Sequence, residues 1–261
     1  MEHDASPPPR PRIRPSDEYD LLLTSNLRCR NLVGVTTVST RLRPADLGKP
    51  RMRGWLHAYA FFVAVVAGVV LTTLAATVAP HPGWAPAISC AIYSVTVCAL
   101  FGTSALYHRR VWSPRWYKVM RRLDHSMIFV FIAGTYTPFS VLLLSRTAAT
   151  VILAVVWGGA LLGVGMKLIY PHAPRWLSAP LYIALGWVAI AVLPEILAHG
   201  GLAAFVLLLA GGALYTLGAV CYALRRPNPW PGTFGHHEFF HACTLVAALC
   251  HHIAIYLALF A

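Results

Sequence analysis

Charged residues are scarce in this chain, and acidic ones almost vanish after its N-terminal fifth. Only 11% of the 261 residues are charged, whereas soluble domains have about 25%. From residue 54 onward the sequence contains just three acids, Asp124, Glu195 and Glu238. Together with 57% hydrophobic residues and a mean hydropathy of +0.61, this scarcity excludes an ordinary soluble domain and indicates a membrane protein.

The sequence also lacks the cysteine spacing of a disulfide framework or a zinc ribbon. Five of its six cysteines lie inside apolar segments, which favours buried thiols. The first 50 residues contain no apolar run of the kind that a cleavable signal peptide needs, so the first spanning helix is expected to direct insertion. The net charge of +12 comes from basic loops and a basic arm, and it favours contact with anionic lipid head groups over nucleic acid.

Two regions are predicted. Residues 1–50, rich in Pro and Arg, are expected to form a flexible cytoplasmic arm because they offer too little apolar surface to fold. Residues 51–261 are expected to form an all-α membrane domain, a seven-transmembrane helix bundle, since seven segments approach the 20 or so apolar residues that cross a bilayer. The predicted spans are Trp55–Ala79, Trp84–Tyr107, Asp124–Leu144, Ala148–Ile169, Trp176–Ala198, Leu202–Leu224 and His236–Leu259.

Loop charges predict the orientation of these spans. The arm and the second, fourth and sixth loops are basic, whereas the first and fifth loops contain no Lys or Arg and the third has only Arg146. Because positively charged loops stay in the cytoplasm, the N-terminus is expected to be cytoplasmic and the C-terminus outside. The protein is therefore predicted to be a multi-pass protein of the cell membrane.

The last apolar segment begins with closely spaced histidines. His237 and His241 are four residues apart, so on a helix they share one face and can grip one metal ion. The predicted topology brings further polar residues to the same membrane depth: His108 and, one turn before it, Ser104 on the second span, and Asp124 on the third. Three imidazoles leave an open position on a zinc ion, and a nearby carboxylate could take a proton from water there.

Simpler interpretations stand beside this one. The histidine pair could hydrogen-bond to lipid head groups, His108 could be a loop-edge histidine, and Asp124 could only cap the third helix. Glu238 points about 100° away from the ligand face, so it could pair with an Arg or His of the sixth loop. The next two histidines of the same helix, His251 and His252, lie about 15 Å farther along it and are expected to hydrogen-bond within the bundle.

The segment HEFFH, from His237 to His241, also fits the H-E-x-x-H pattern of zinc proteases, in which Glu238 would be the base. An intramembrane protease would need a further ligand on another helix. Asp124 is the sole acid that could provide it, and the composition excludes the soluble architecture of such proteases.

Six segments lie in order along about residues 49–258: KPRMRGWLHAYAFF, TSALYHRR, RRLDHSMIFVFIAGTYTPF, YIALGWVAI, GGALYTLGAVCYALRRP and FGHHEFFH. The resemblance is to the bacterial hemolysin III family, which belongs with the progestin and adipoQ receptors and, more distantly, the alkaline ceramidases. It implies a seven-helix bundle with an intramembrane zinc near the cytoplasmic face. It further implies that His108, His237 and His241 are the zinc ligands, that Ser104 matches the nearby serine, and that Asp124 orients the water.

Three functions remain open at this point. The first is a zinc-dependent hydrolase of lipid amide or ester bonds, as the distant ceramidases suggest. The second is a non-enzymatic receptor-like or membrane-homeostasis protein in which zinc is structural. The third, a pore-forming cytolysin, is least favoured because the spans are too uniformly apolar to line a channel. Membrane lipids are the expected partners, one of them as the substrate in the first case.

Overall fold

The computed structural model describes residues 49–170 and 173–261. All but two residues of the predicted arm, residues 1–50, lie outside this description. Within it, the single β contact is an isolated bridge between Trp230 and Phe234. The helices are α1 (Trp55–Thr77), α2 (Trp84–Arg109), α3 (Pro114–Leu143), α4 (Arg146–Ile169), α5 (Arg175–Gly186), α6 (Leu193–Leu224) and α7 (His236–Leu259), with a 3-10 segment, Trp187–Val192, between α5 and α6.

Six helical stretches of the described residues are long and apolar enough to cross a membrane. The first of these helices has one face buried in the bundle and an opposite face of exposed apolar side chains, as a helix next to lipid should have. On α1, small and apolar residues such as Gly68 and Leu71 are buried against the bundle, whereas large side chains on the other face, including Phe62, Val66 and Val69, are exposed by 62–69%. An apolar surface of this kind is stable in lipid and costly in water.

The longest stretch, Trp176–Leu224, has 49 residues and reverses its direction. A straight helix of that length would measure about 73 Å, more than twice the thickness of a bilayer core. Trp187 instead donates a hydrogen bond from Nε1 to Oγ1 of Thr216 at 2.9 Å, although the two residues would be about 43 Å apart on one straight helix. The reversal falls at Gly201, whose φ of +75° is left-handed backbone that favours glycine.

Helix α3 begins ten residues earlier than the predicted span, at Pro114. Proline suits the first turn of a helix, and the Arg, Lys, Met and Leu residues that follow are good helix formers. Hydropathy predicts only the apolar part of a helix, the part that crosses the bilayer. Helix α3 also includes the polar segment before that part. Asp124 consequently lies in the helix interior, and the interpretation of Asp124 as a helix cap is wrong.

Small residues let the helices approach closely, as is usual in membrane bundles. Gly68 of α1 accepts a hydrogen bond from the Ser94 hydroxyl of α2 at 3.3 Å through its carbonyl oxygen. Gly134 of α3 faces Thr96 of α2, and a Cβ atom at position 134 would lie 2.8 Å from the Thr96 Cβ. That separation is far below van der Waals contact.

We expect Gly134→Ala to destabilise the protein by about 1–3 kcal/mol, because the added methyl group would force α2 and α3 apart. Gly158→Ala is the matched control: Gly158 is also inside a helix, but a Cβ there would meet no atom within 4 Å. Thermal unfolding in detergent should show a lower midpoint for Gly134→Ala and an unchanged or slightly higher one for Gly158→Ala. Equal shifts in the two variants would contradict this account of the packing.

Candidate metal centre

Three histidines from two helices meet at one end of the bundle. His108 lies in the last turn of α2, and His237 and His241 lie in the first two turns of α7. Each offers one ring nitrogen, and the three nitrogens lie within 4.8 Å of one another. We call these residues the histidine trio. The fold thus joins the predicted pair to a residue 129 positions away in the chain.

The spacing within the trio suits a metal ion. Nε2 of His108 and Nε2 of His237 are 3.1 Å apart. In a tetrahedral site with zinc–nitrogen bonds of 2.0–2.1 Å, two ligand nitrogens are about 3.3 Å apart. The His237 ring meets those of His108 and His241 at 80° and 64°, so the rings present their edges to a shared space. The trio therefore fits an ion that imidazole binds well, such as zinc.

The start of α1 fits closely against the last turn of α2. Gly54 has a φ of +78°, and a Cβ there would lie 2.8 Å from the His108 Cβ, so only glycine fits. The Arg109 guanidinium lies 3.3 Å from the centroid of the Trp55 ring, a cation–π contact between the same two helix ends. Together these contacts fix the position of His108.

The start of α1 is also tied to the start of α7. Arg53 forms an ion pair with Oε1 of Glu238, which is only 1% exposed. The other carboxylate oxygen, Oε2, accepts a hydrogen bond from the Gly235 backbone N–H at 2.9 Å and thereby caps α7. Backbone N–H groups of residues 51 and 52 donate to the carbonyls of residues 232 and 233 at 3.2 and 3.1 Å.

The contacts of Glu238 therefore give this residue a structural role. Its cationic partner precedes the first helix, so the predicted pairing with an Arg or His of the sixth loop is wrong. With one oxygen bound to Arg53 and the other to the α7 backbone, Glu238 is held in place by contacts outside the trio.

A second group of polar side chains consists of Ser104 on α2 and Asp124 on α3. Ser104 is 3% exposed and lies one turn before His108 on α2, and it interacts with the Asp124 carboxylate. Oδ2 of Asp124 is 3.4 Å from Nδ1 of His125, which in turn donates to the Arg121 carbonyl at 2.8 Å. Asp124 is not one of the three residues whose ligand atoms converge.

The two later histidines of α7 lie apart from the trio. Nε2 of His251 donates to the Leu208 carbonyl at 3.1 Å, which is the kind of hydrogen bond within the bundle that the sequence predicts. His252 packs its ring on Tyr93, with the centroids 5.8 Å apart.

A fourth histidine, His57 of α1, lies beside the trio and was missed by the sequence analysis. Its ring stacks on that of His241, with the centroids 3.8 Å apart and the planes 12° from parallel. The signal was present in the sequence, because a histidine at the start of the first span falls at the same depth as one at the start of the seventh. A histidine that stands alone, without a spaced partner, does not by itself indicate a metal site.

The sequence profile described as haemolysin-III related matches residues 46–252, most of the chain. The chain belongs to this family. It is 32% identical over 158 residues to the hemolysin-3 homolog of Bacillus subtilis (60% of this chain, 71% of that protein) and 34% identical over 139 residues to hemolysin-3 of Bacillus cereus (52% and 61%). It is 31% identical over 192 residues to the rice protein named heptahelical transmembrane protein ADIPOR2 (67% of this chain, 81% of that protein).

Family and helices together make this haemolysin-III-related protein a multi-pass membrane protein. The matched region includes every residue of the trio, along with Ser104 and Asp124. Its relatives include both bacterial proteins and a plant protein of the adipoQ-receptor type, as the sequence resemblance implies.

We expect Arg53→Met to destabilise this haemolysin-III-related protein by about 3–5 kcal/mol, because it leaves the buried Glu238 carboxylate without a cation. The double variant Arg53→Met/Glu238→Gln should lose less than the sum of the single variants, since the amide carries no charge and still caps α7. Arg51→Met, an exposed arginine in the same segment, is the control. A double-mutant cycle on thermal unfolding measures the coupling, and strict additivity would show that the pair does not contribute.

Proposed function

We propose that this protein is a zinc-dependent hydrolase that cleaves amide or ester bonds of lipids in the cell membrane. The observation that carries the proposal is the convergence of three imidazole nitrogens, which lie within 4.8 Å of one another. In addition, Ser104, one turn before His108, interacts with the carboxylate of Asp124. A metal that only joined helices would be enclosed by four protein ligands, whereas three histidines leave one position open.

Each residue has a distinct part in the proposal. His108, His237 and His241 hold zinc, which supplies Lewis acidity and an open coordination position. Asp124 takes a proton from the attacking water, and Ser104 holds the carboxylate in place. The water oxygen bonds to the substrate carbonyl carbon, the bond from that carbon to nitrogen or oxygen breaks, and Asp124 returns the proton to the departing atom. The products are a carboxylic acid and an amine or alcohol.

A second candidate is a receptor-like or membrane-homeostasis protein in which the metal is structural. The observation that favours it is the packing around the trio: His108 and His237 join α2 to α7, and the stack on His241 adds α1. An ion at this place would lock three helix ends together. The two candidates share every ligand and differ in whether the protein turns over a lipid.

For the architecture we propose seven crossings with a cytoplasmic N-terminus, which puts the trio near the cytoplasmic face. The reversal at Gly201 would split the 49-residue stretch into two crossings, and the name of the rice relative describes seven helices. In a variant without the six native cysteines, an impermeant maleimide added to intact cells should label Ala261→Cys and spare Lys49→Cys. The reverse pattern would overturn the orientation.

Metal analysis and lipid hydrolysis test the function. The purified protein should contain about one zinc per chain and release fatty acid from ceramide or another amide- or ester-linked lipid. His108→Ala should lose both zinc and turnover. Asp124→Asn should keep zinc but lose activity by about 10²–10⁴-fold, the usual contribution of a general base.

The matched control is His251→Gln, because His251 lies on the same helix as His241 but outside the trio. It should keep both zinc and turnover. Full zinc content in His108→Ala would show that the ligand set is wrong. Zinc in the wild type without hydrolysis of any such lipid would favour the structural-metal candidate, and unchanged turnover in Asp124→Asn would remove Asp124 from the mechanism.

A further inference from the structure

His57 is a buried polar side chain beside the trio. It lies in the first turn of α1 and is 2% exposed. Neither ring nitrogen, Nδ1 or Nε2, makes a hydrogen bond of normal geometry with a residue that the structure describes. The ring lies between that of His241, 3.8 Å away, and that of Phe101, 5.0 Å away, by centroid distance.

Packing alone does not account for a histidine at this position. A buried polar group without a partner destabilises the fold, and a neutral imidazole has two such groups, one N–H and one lone pair. A phenylalanine would fill nearly the same space between the two rings without that cost. The ring of His57 is therefore best explained by a polar partner outside the protein chain.

The geometry also argues against His57 as a fourth metal ligand. Its nitrogens are not among those that lie within 4.8 Å of one another. The His57 and His241 rings are nearly parallel, at 12°, so lone pairs in their planes run side by side, whereas the lone pairs of two ligands must converge on the ion. His57 lies next to the trio and outside its coordination.

We propose that His57 binds the ligand of this site, by hydrogen-bonding to an oxygen that lies beside the trio. Because the His57 ring is stacked on that of His241, its nitrogens lie within a few ångströms of that ligand histidine. A small polar group at the edges of the two rings could therefore reach both of them. The N–H of a neutral imidazole fits a carbonyl oxygen, the acceptor that amides, esters and hydroxamates share. This inference rests on the proposed function and adds a residue that recognises the substrate carbonyl.

The start of α1 holds His57 in place for this task. Arg53, one turn before it, is fixed by the ion pair with Glu238, and Gly54 is pressed against His108. A site residue held by such neighbours needs little reordering when a ligand arrives, so more of each new hydrogen bond contributes to affinity.

The experiment uses the full-length protein in detergent, with Co²⁺ in place of zinc and acetohydroxamate as the probe. The visible spectrum of Co²⁺ reports its ligands, so one titration gives the metal content and a second gives the affinity for the probe, both independent of turnover. Three variants separate the roles of the ring. His57→Phe keeps the stack and removes the nitrogens, His57→Gln restores a polar end, and His57→Ala removes both.

We expect His57→Phe to bind Co²⁺ as the wild type does but to bind acetohydroxamate about tenfold more weakly, a loss of 1.4 kcal/mol. His57→Gln should recover most of that affinity. His57→Ala should also bind Co²⁺ more weakly, because His241 loses the ring that fixes its orientation. Wild-type affinity for acetohydroxamate in His57→Phe would overturn the inference.

Two other outcomes are equally decisive. Loss of Co²⁺ from both His57→Phe and His57→Gln, with unchanged thermal unfolding, would make His57 part of the metal-binding set and overturn the inference as stated. Failure of the wild type to take up Co²⁺ or zinc would instead contradict the proposed function.

Discussion

The buried ion pair between Arg53 and Glu238 is the contact on which the candidate site depends. Glu238 is almost fully enclosed, and an unpaired carboxylate there would cost several kcal/mol, so the arginine must stay close. Each partner is next in the chain to a residue of the site: Gly54, which packs on His108, follows Arg53, and His237 precedes Glu238. One ion pair thereby sets the distance between the helix ends that carry the trio.

Much of this arrangement could be predicted from the sequence, because local rules govern it. A bilayer fixes the length of an apolar helix, which places most helix ends within a few residues, and a spacing of four puts His237 and His241 on one face. Depth in the membrane then relates residues far apart in the chain, and this is how His108 could be matched to the pair. The predicted spans end at Ala198 and begin again at Leu202, and the structure has its break between these two residues, at Gly201.

Three features could not be predicted from the sequence, because they depend on tertiary contacts or on a part of a helix that is not apolar. Helix α3 extends through a polar segment that hydropathy does not register, which changes the position of Asp124 from helix start to helix interior. The partner of Glu238 lies 185 positions away, and no local pattern connects the two. His57 lacks any spacing signal, and only the packing of α1 on α7 reveals its stack with His241.

The three acids beyond residue 54 differ in their contacts: the two glutamates bind the backbone at helix starts, whereas Asp124 contacts side chains. Oε2 of Glu195 accepts from the Ser145 backbone N–H at 2.9 Å, at the start of α4, as Glu238 does from Gly235 at the start of α7. Helix starts have unpaired N–H groups, so both glutamates have a structural reason to exist in a membrane. Asp124 lies inside a helix, where the backbone is already paired, and its described contacts are to the side chains of Ser104 and His125. Asp124 caps no helix, and its interaction with the serine one turn before His108 distinguishes it from the two glutamates, whose contacts are to helix starts.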